Sequence, residues 1–295
     1  MAASDNTARL ARPMESEREF AFTEENFRRV RELIYKHAGI ALNETKRNMV
    51  YSRLARRLRA TGTASFDAYL ATVESGSGPE WQPFVNALTT NLTFFFREQH
   101  HFPLLAEHLL NCRGKGEIRI WCAAASTGEQ PYSMAITACE ALGTAAQSVR
   151  ILATDIDTSV LDRARKGEYP EESLDKVAPE LRRRYFLRGA GENQGLVRAR
   201  PQLQQMISFR QLNLLAPTWP GMQAFDAIFC RNVMIYFDKP TQHRILERFV
   251  PLLASGGRLF MGHSETLNQA RDLFRLEGRT VYTAVRDDAT LGRVA

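Results

Sequence analysis

The sequence predicts an α/β chain in which a small all-helical segment precedes a mostly parallel sheet, itself interrupted by a small antiparallel insertion. Three observations carry this expectation. Apolar residues recur at helical spacing from Thr23 to about Leu88. After Pro103, short apolar runs alternate with helical stretches, as in IRIWCA, RILATDID, FDAIFCRN and GGRLFMG, which argues for parallel strands covered by helices on both faces. Between them, YFLRGAGENQGLVRARPQLQQMISFRQLNLL holds short strands separated by Gly-rich turns, a hairpin pattern.

The elements follow in order. Residues 1–19 are polar and charged and are expected to form a flexible tail. In the helical domain, expected over 20–90, Thr23 with Asn26 suits a helix entry, Phe27, Val30, Leu33 and Ile34 share a face, and Gly39 stops the helix. Further helices are expected from about Glu44 to Ala60, stopped by Gly62, from Ser65 to Val73 and from Trp81 to Thr90, with GSGP at Gly76–Pro79 as a loop. A connector over 91–103 leads into the sheet domain, 104–295, with the insertion at about 185–211. FRLEGRTVYTAV is expected to supply two closing strands.

With 44% hydrophobic and 24% charged residues over 295 positions, the chain can bury a sizeable core. Its longest apolar runs fall well short of the roughly 18 residues of a membrane span, and MAASDNTARLARPMESERE lacks an apolar signal core. A soluble, cytoplasmic protein without membrane insertion is expected. Cys112, Cys122, Cys139 and Cys230 are scattered without a CxxC pair, so reduced buried thiols and no metal are expected. The net charge of +6 points to an anionic partner and leaves its kind open.

Open parallel sheets bind ligands beyond the carboxyl ends of their strands. After IRIWC comes AAASTGEQPYS, where Gly128 leads into a helix and Glu129 sets a carboxylate at its mouth; small residues there suit close approach of a ligand, or simply a capped helix start. Asp155 ends RILATD, where a carboxylate can accept both ribose hydroxyls of an adenosine, although Asp155 or Asp157 equally suits the cap of the next helix. Arg231 and Asn232 follow FDAIFC, and Asn213, after SFRQL, stands in an analogous place if that segment rejoins the sheet. Neither a dinucleotide glycine fingerprint nor a phosphate-binding loop is present, which disfavours a nicotinamide enzyme. Adenosine recognition without those glycines points to S-adenosylmethionine, whose ammonium or sulfonium end suits Glu129.

TTNLTFFFRE, AAASTGEQPYS, ATDID and FCRNVMIYF, in this order, resemble the chemotaxis receptor methyltransferases, the CheR family, over nearly all of the chain from about Phe20. The resemblance implies a class I S-adenosylmethionine-dependent methyltransferase, a Rossmann-like sheet with an inserted β-subdomain behind a helical domain, that methylates glutamates on cytoplasmic chemoreceptor helices and releases S-adenosylhomocysteine. By matched position it implies cofactor contacts at Asn91, Thr93, Arg97, Glu129, Asp155, Asn213, Leu214, Cys230, Arg231 and Asn232. Arg97 and Tyr236 are implied nearest the transferred methyl group. Two departures stand out: Gln130 where a second acid is expected, and Phe94 where a small residue is common. Within this reading the Phe94–Phe96 run anchors the connector while Asn91, Thr93 and Arg97 point from it to the cofactor.

KRNMVYSRLARRLRA carries six basic residues and no acid. At 100° per residue, Val50, Leu54 and Leu58 share one face and Arg53, Arg56 and Arg59 form a stripe on another. Such a stripe is either a solvated face or a docking surface for a glutamate-rich receptor helix. RGAGENQGLVRAR resembles the insertion of family members that dock a receptor C-terminal peptide, with Gly189, Gly191, Gly195 and Arg198 as candidate contacts by strand addition; a plain hairpin is the alternative. A monomer is expected. Methyl transfer to another acidic protein or to nucleic acid is the alternative activity, and nucleic acid is disfavoured because the aromatic residues are not interleaved with the basic ones. HSE at His263–Glu265 lacks the preceding GxSxG of a hydrolase.

Overall fold

The computed structural model describes residues 18–285, so nearly all of the expected tail lies outside the described residues. Two compact units are present: Leu42–Leu88 with the chain ahead of Ile34, and Ile34–Ala41 with the chain from Thr89 onward.

The smaller unit is helical. Helix α1 (Glu24–Ala38), which belongs to this unit up to Leu33, opens with a reciprocal cap in which the Asn26 N–H donates to Thr23 Oγ1 (3.1 Å) and the Thr23 N–H donates to Asn26 Oδ1 (3.0 Å), satisfying donors that a helix start leaves open. Phe27 and Val30 are buried as the spacing requires. Helix α2 (Arg47–Thr61) buries Val50, Leu54, Ala55 and Leu58 and ends at Gly62, which adopts the left-handed conformation (φ +67°) that lets its N–H reach back to Leu58 and Arg59. Helix α3 (Phe66–Val73) starts on Ser65, whose Oγ accepts from Ala68 N–H, and α4 (Trp81–Leu88) buries Phe84, Val85 and Leu88.

The larger unit is the α/β body. In chain order it runs α5 (His101–Cys112), β1 (Ile118–Cys122), α6 (Glu129–Leu142), β2 (Val149–Asp155), α7 (Thr158–Lys166), β3 (Glu168–Pro170), α8 (Pro179–Tyr185), β4 (Phe186–Arg188), β5 (Leu196–Ala199), α9 (Pro201–Gln204), β6 (Ile207–Gln211), β7 (Phe225–Cys230), α10 (Lys239–Phe249), β8 (Leu253–Met261), β9 (Phe274–Gly278) and β10 (Val281–Ala284). The main sheet has the order β6-β2-β1-β7-β8-β10-β9. Its first five strands pair in parallel, and β10 and β9 close it antiparallel.

Strand residues alternate between two apolar layers. Ile120, Cys122, Ala227, Phe229 and Phe260 join one cluster with α5 and α6, whereas Trp121, Ile228, Cys230, Leu259 and Met261 join the other with α10. Burial on both faces explains why these runs read as continuously apolar. Trp121 is fully buried against Trp219, Phe225 and Phe249, and its indole N–H donates to Thr154 Oγ1 at 2.9 Å.

The small sheet differs from the expected hairpin at about 185–211. Its order is β3-β5-β4, all antiparallel, so Glu168–Pro170 supplies a strand from well ahead of that segment. Ile207–Gln211 instead pairs in parallel with β2 in the main sheet. Pairing with β2 places Ile207 and Met206 against the main core, a burial that a free-standing hairpin would deny them.

Candidate functional site

The loops after β1, β2, β6, β7 and β8 and the connector from Thr89 converge through hydrogen bonds at the carboxyl end of the main sheet. Asp157 caps α7, its carboxylate accepting from Ser159 and Val160 N–H. The same group accepts from Thr89 Oγ1 (2.6 Å) and Asn91 Nδ2 (2.8 Å), so the α7 cap also ties down the connector. Ser126 Oγ donates to Asn91 O, and Phe96 N–H to Ser133 Oγ, each at 2.9 Å. Phe95 is buried against Tyr169 and Phe186. Phe96 (φ +55°) and Glu98 (φ +54°) both sit in the left-handed region on either side of Arg97. Such a conformation is uncommon for bulky residues and persists where the surroundings over-determine it.

Two carboxylates line the edge. Asp155 accepts from Ser126 N–H (2.8 Å) and Asp157 N–H (3.0 Å), and burial pushes its carboxyl above the ordinary range despite those bonds. Glu129, in the first turn of α6, accepts from Thr127 Oγ1 (2.6 Å) and is likewise pushed up by burial. Gly128 ahead of it has φ +102°, and a Cβ there would stand 2.7 Å from the Tyr169 hydroxyl oxygen and 2.9 Å from Ala164 Cβ. Close approach of the chain's own α7 is therefore enough to require glycine.

Across the sheet, Arg231 is 2% exposed. One of its terminal nitrogens donates to Arg97 O and lies 3.4 Å from Glu98 Oε2, while Nε and Nη1 are buried without a protein partner. A buried guanidinium holding spare donors is suited to an anionic group. The chemistry of these orphaned donors and of the two buried carboxylates, in the loops after β7, β1 and β2, fits a zwitterionic ligand such as the amino-acid end of S-adenosylmethionine together with ribose hydroxyls.

Comparison with known families agrees with this chemistry. Residues 25–89 match the family model described as CheR methyltransferase, all-alpha domain, and residues 91–283 that described as CheR methyltransferase, SAM binding domain. The chain belongs to the CheR family. A chemotaxis protein methyltransferase of Klebsiella aerogenes is 56% identical over 263 residues, covering 89% of this chain and 90% of that protein. That of Escherichia coli K12 is 53% identical, with coverages of 90% and 93%. A chemotaxis protein methyltransferase 2 of Pseudomonas aeruginosa is 53% identical, with coverages of 92% and 97%.

Other expected contacts of this CheR-family chain have structural engagements of their own. Asn91 spends its amide donors on Asp157 and Thr89. Asn213 donates to His37 O (2.6 Å) and accepts from Leu215 N–H (2.8 Å), so its amide shapes the loop after β6. Leu214 is buried, and its carbonyl accepts from Arg248 (3.3 Å). Cys230 is fully buried in the α10-side core, which leaves only its backbone for a ligand. Burial pushes its thiol well up. Arg97 donates to Leu92 O at 2.7 Å. Thr93 and Tyr236 are half-buried, and neither hydroxyl has a hydrogen-bond partner among the described residues. Gln130 is buried and donates to Cys122 Sγ at 3.4 Å, whereas Phe94 lies under the Lys176 ammonium at 4.1 Å.

In the smaller unit, Arg56 is exposed, Arg53 is half-buried with its guanidinium 3.4 Å from Ala87 O, and Arg59 pairs with Glu19 at 2.7 Å. Arg57 forks onto Glu80 through two 2.8 Å bonds. The local run holds no acid, yet acids distant in sequence neutralise part of its charge. In the small sheet, Arg198 faces Glu168 across the ladder. The Gly189 N–H is committed to Leu196 O, and a Cβ on Gly189 would stand 2.0 Å from Asn193 O. Gly191 (φ +60°) and Gly195 (φ +85°) have open space around them.

Sequence reading missed two acids. Glu98 accepts from His263 Nδ1 (3.0 Å) and Asn232 Nδ2 (3.3 Å) beside Arg231. Glu265 accepts backbone N–H groups from the turn after β7. The signal for Glu265 was HSE directly after an apolar strand end, the position already inspected in the other strands. Glu98, His100 and His101 also bring ligand atoms within 4.8 Å of one another, but the adjacent Arg231 guanidinium disfavours a further cation there. Among the described residues no helix is long and apolar enough to cross a membrane.

Proposed function

We propose that this chain esterifies glutamate side chains of chemoreceptors, giving glutamyl 5-O-methyl esters and S-adenosylhomocysteine in the adaptation of bacterial chemotaxis. The observation that carries the reading is the polar set at the sheet edge, in a chain of the CheR family: buried Arg231 with two unpartnered nitrogens and the buried carboxylates Glu129 and Asp155. S-adenosylmethionine, when bound, supplies an electrophilic methyl group on a sulfonium.

Arg231 would hold the donor's carboxylate, Glu129 its ammonium and Asp155 its ribose hydroxyls, with Asn91, Thr93, Asn213, Leu214, Asn232 and the Cys230 backbone shaping the cradle. The substrate glutamate needs no base, because a free side chain of pKa about 4.3 is already ionised at neutral pH. Positioning therefore carries the catalysis, and holding the carboxylate in line can remove on the order of 7 to 11 kcal/mol of the barrier. Arg97 is anchored to Leu92 O by one terminal nitrogen, which supports an orienting contact to one carboxylate oxygen. A full bidentate grip would favour the more charged ground state. Tyr236 hydrogen-bonds the substrate or the donor.

Docking of the receptor falls to Arg53, Arg56 and Arg59, of which Arg56 is exposed and has no ion-pair partner among the described residues, and a receptor C-terminal peptide falls to the outer strands of the small sheet, β3 and β4, with Gly189, Gly191 and Gly195 in the turn between β4 and β5, and Arg198 contributing through its side chain alone because β5 is paired on both sides. The decisive assay is transfer of radiolabelled methyl groups to receptor cytoplasmic fragments. Base-labile release of methanol supports an ester, and base-stable label overturns it.

A further inference from the structure

Asn232 holds φ +59°, a left-handed conformation that Asn tolerates better than most L-residues but that still has to be held by its surroundings. It stands two residues beyond the end of β7 and begins the turn that leads to Tyr236. The consecutive N–H groups of Asn232, Val233 and Met234 all point to one side. They meet the Glu265 carboxylate, with Oε2 accepting from Asn232 (2.8 Å) and Oε1 from Val233 (2.9 Å) and Met234 (2.8 Å). Gly262 N–H completes the set on Oε2 at 2.7 Å. Successive N–H groups in such a turn form an anion-binding nest, and here the anion is part of the chain.

We infer that Glu265 is a positioning residue, whose carboxylate fixes the left-handed turn at Asn232 and thereby aims Arg231, Asn232 and Tyr236. The inference rests on the proposed role of that turn in holding the methyl donor. Glu265 is 5% exposed and has no direct ion-pair partner among the described residues; four backbone N–H dipoles meet its carboxylate, and the Arg231 guanidinium adds a longer-range attraction. Burial pushes its carboxyl up, against the four N–H bonds. Only a carboxylate offers about four acceptor sites and no donor; a carboxamide would turn an NH2 group toward N–H donors. Space tells the same story, since a Cβ on Gly262 would stand 2.6 Å from Glu265 Oε2, 2.9 Å from Asn232 Nδ2 and 3.0 Å from Asn232 N. Glu98 grips the side chains of this turn through Asn232 Nδ2 and Arg231, while Glu265 grips its backbone.

The test uses the full chain. Glu265→Gln, Glu265→Asp, Gly262→Ala and Asn232→Ala are each measured for S-adenosylhomocysteine affinity by calorimetry, for kcat and KM toward a receptor fragment, and for thermal midpoint. Glu265→Gln is expected to stay folded, to bind S-adenosylhomocysteine on the order of 10- to 100-fold more weakly, since small misplacements carry penalties of that size, and to lose kcat while keeping its KM for the receptor. Glu265→Asp, which keeps the charge, is expected to recover part of the loss, and Gly262→Ala to reproduce it by displacing the carboxylate. Wild-type affinity in folded Glu265→Gln overturns the inference if Asn232→Ala is weakened. If Asn232→Ala also binds as the wild type does, it is the donor site itself that is wrong. Loss of fold in all three Glu265 and Gly262 variants overturns the inference as well, because the role is then structural.

Discussion

Replacing Glu98 by Gln removes one negative charge from beside a guanidinium that solvent scarcely reaches. The Glu98 side chain is 9% exposed and lies 3.4 Å from Arg231. Burial alone would raise its carboxyl, but His263, Arg231 and Asn232 overcome that and depress it from 4.5 to about 2. At 1.36 kcal/mol per pH unit, the depression is worth about 3 kcal/mol of folding free energy. An acid with a lowered folded-state pKa contributes stability that is fully present above its unfolded value and is lost as pH falls toward the folded one. Glu98→Gln is therefore expected to cost about 3 kcal/mol at pH 7, and the difference from wild type should shrink to under half of that by pH 3. Urea denaturation of both proteins at several pH values between 3 and 7 measures it, with the subtraction removing acid-titrating groups that do not touch Glu98, as His101 does at 3.7 Å. A difference that stays constant across that range refutes the ion-pair account.

Gly128→Ala forces a side chain into a left-handed position against Tyr169 and Ala164, and a loss of about 1–3 kcal/mol is expected by thermal unfolding; an unchanged midpoint would mean that α7 can move aside. Arg97→Lys is expected to lower kcat, because a point charge cannot keep the Leu92 contact and also orient an oxygen; full kcat with only KM altered defeats the orienting role. Charge reversal at Arg53, Arg56 and Arg59 together is expected to raise KM for receptor fragments and flatten its salt dependence, and steady-state kinetics at low and high salt will reveal an unaltered KM if the stripe is merely solvated.

Signals that act within one or two helical turns were plain in the chain. Thr23 and Asn26 cap each other across three positions, and Gly62 ends a helix in the left-handed conformation. The alternating apolar runs gave the parallel strands because burial on both faces removes polar positions from them. Strand pairing was harder. Nothing local says that Ile207–Gln211 lies beside β2 or that Glu168–Pro170 joins β5, since each depends on a partner tens of residues away. In the site, Asp155 and Glu129 announced themselves by following strand ends, while their backbone partners and burial did not.

The residue order alone determined the helices of the smaller unit and the main alternation of apolar strands and helices, that these strands are buried on both faces, and that the loops at their carboxyl ends carry the polar groups. Tertiary structure decided what those groups touch. Glu98 meets His263 across 165 residues, and Glu265 meets Asn232 across 33. Pattern records the free energy of burying a face, which is spread over many positions; a hydrogen bond between distant loops depends on two atoms arriving within about 3 Å, and only the folded chain brings them there.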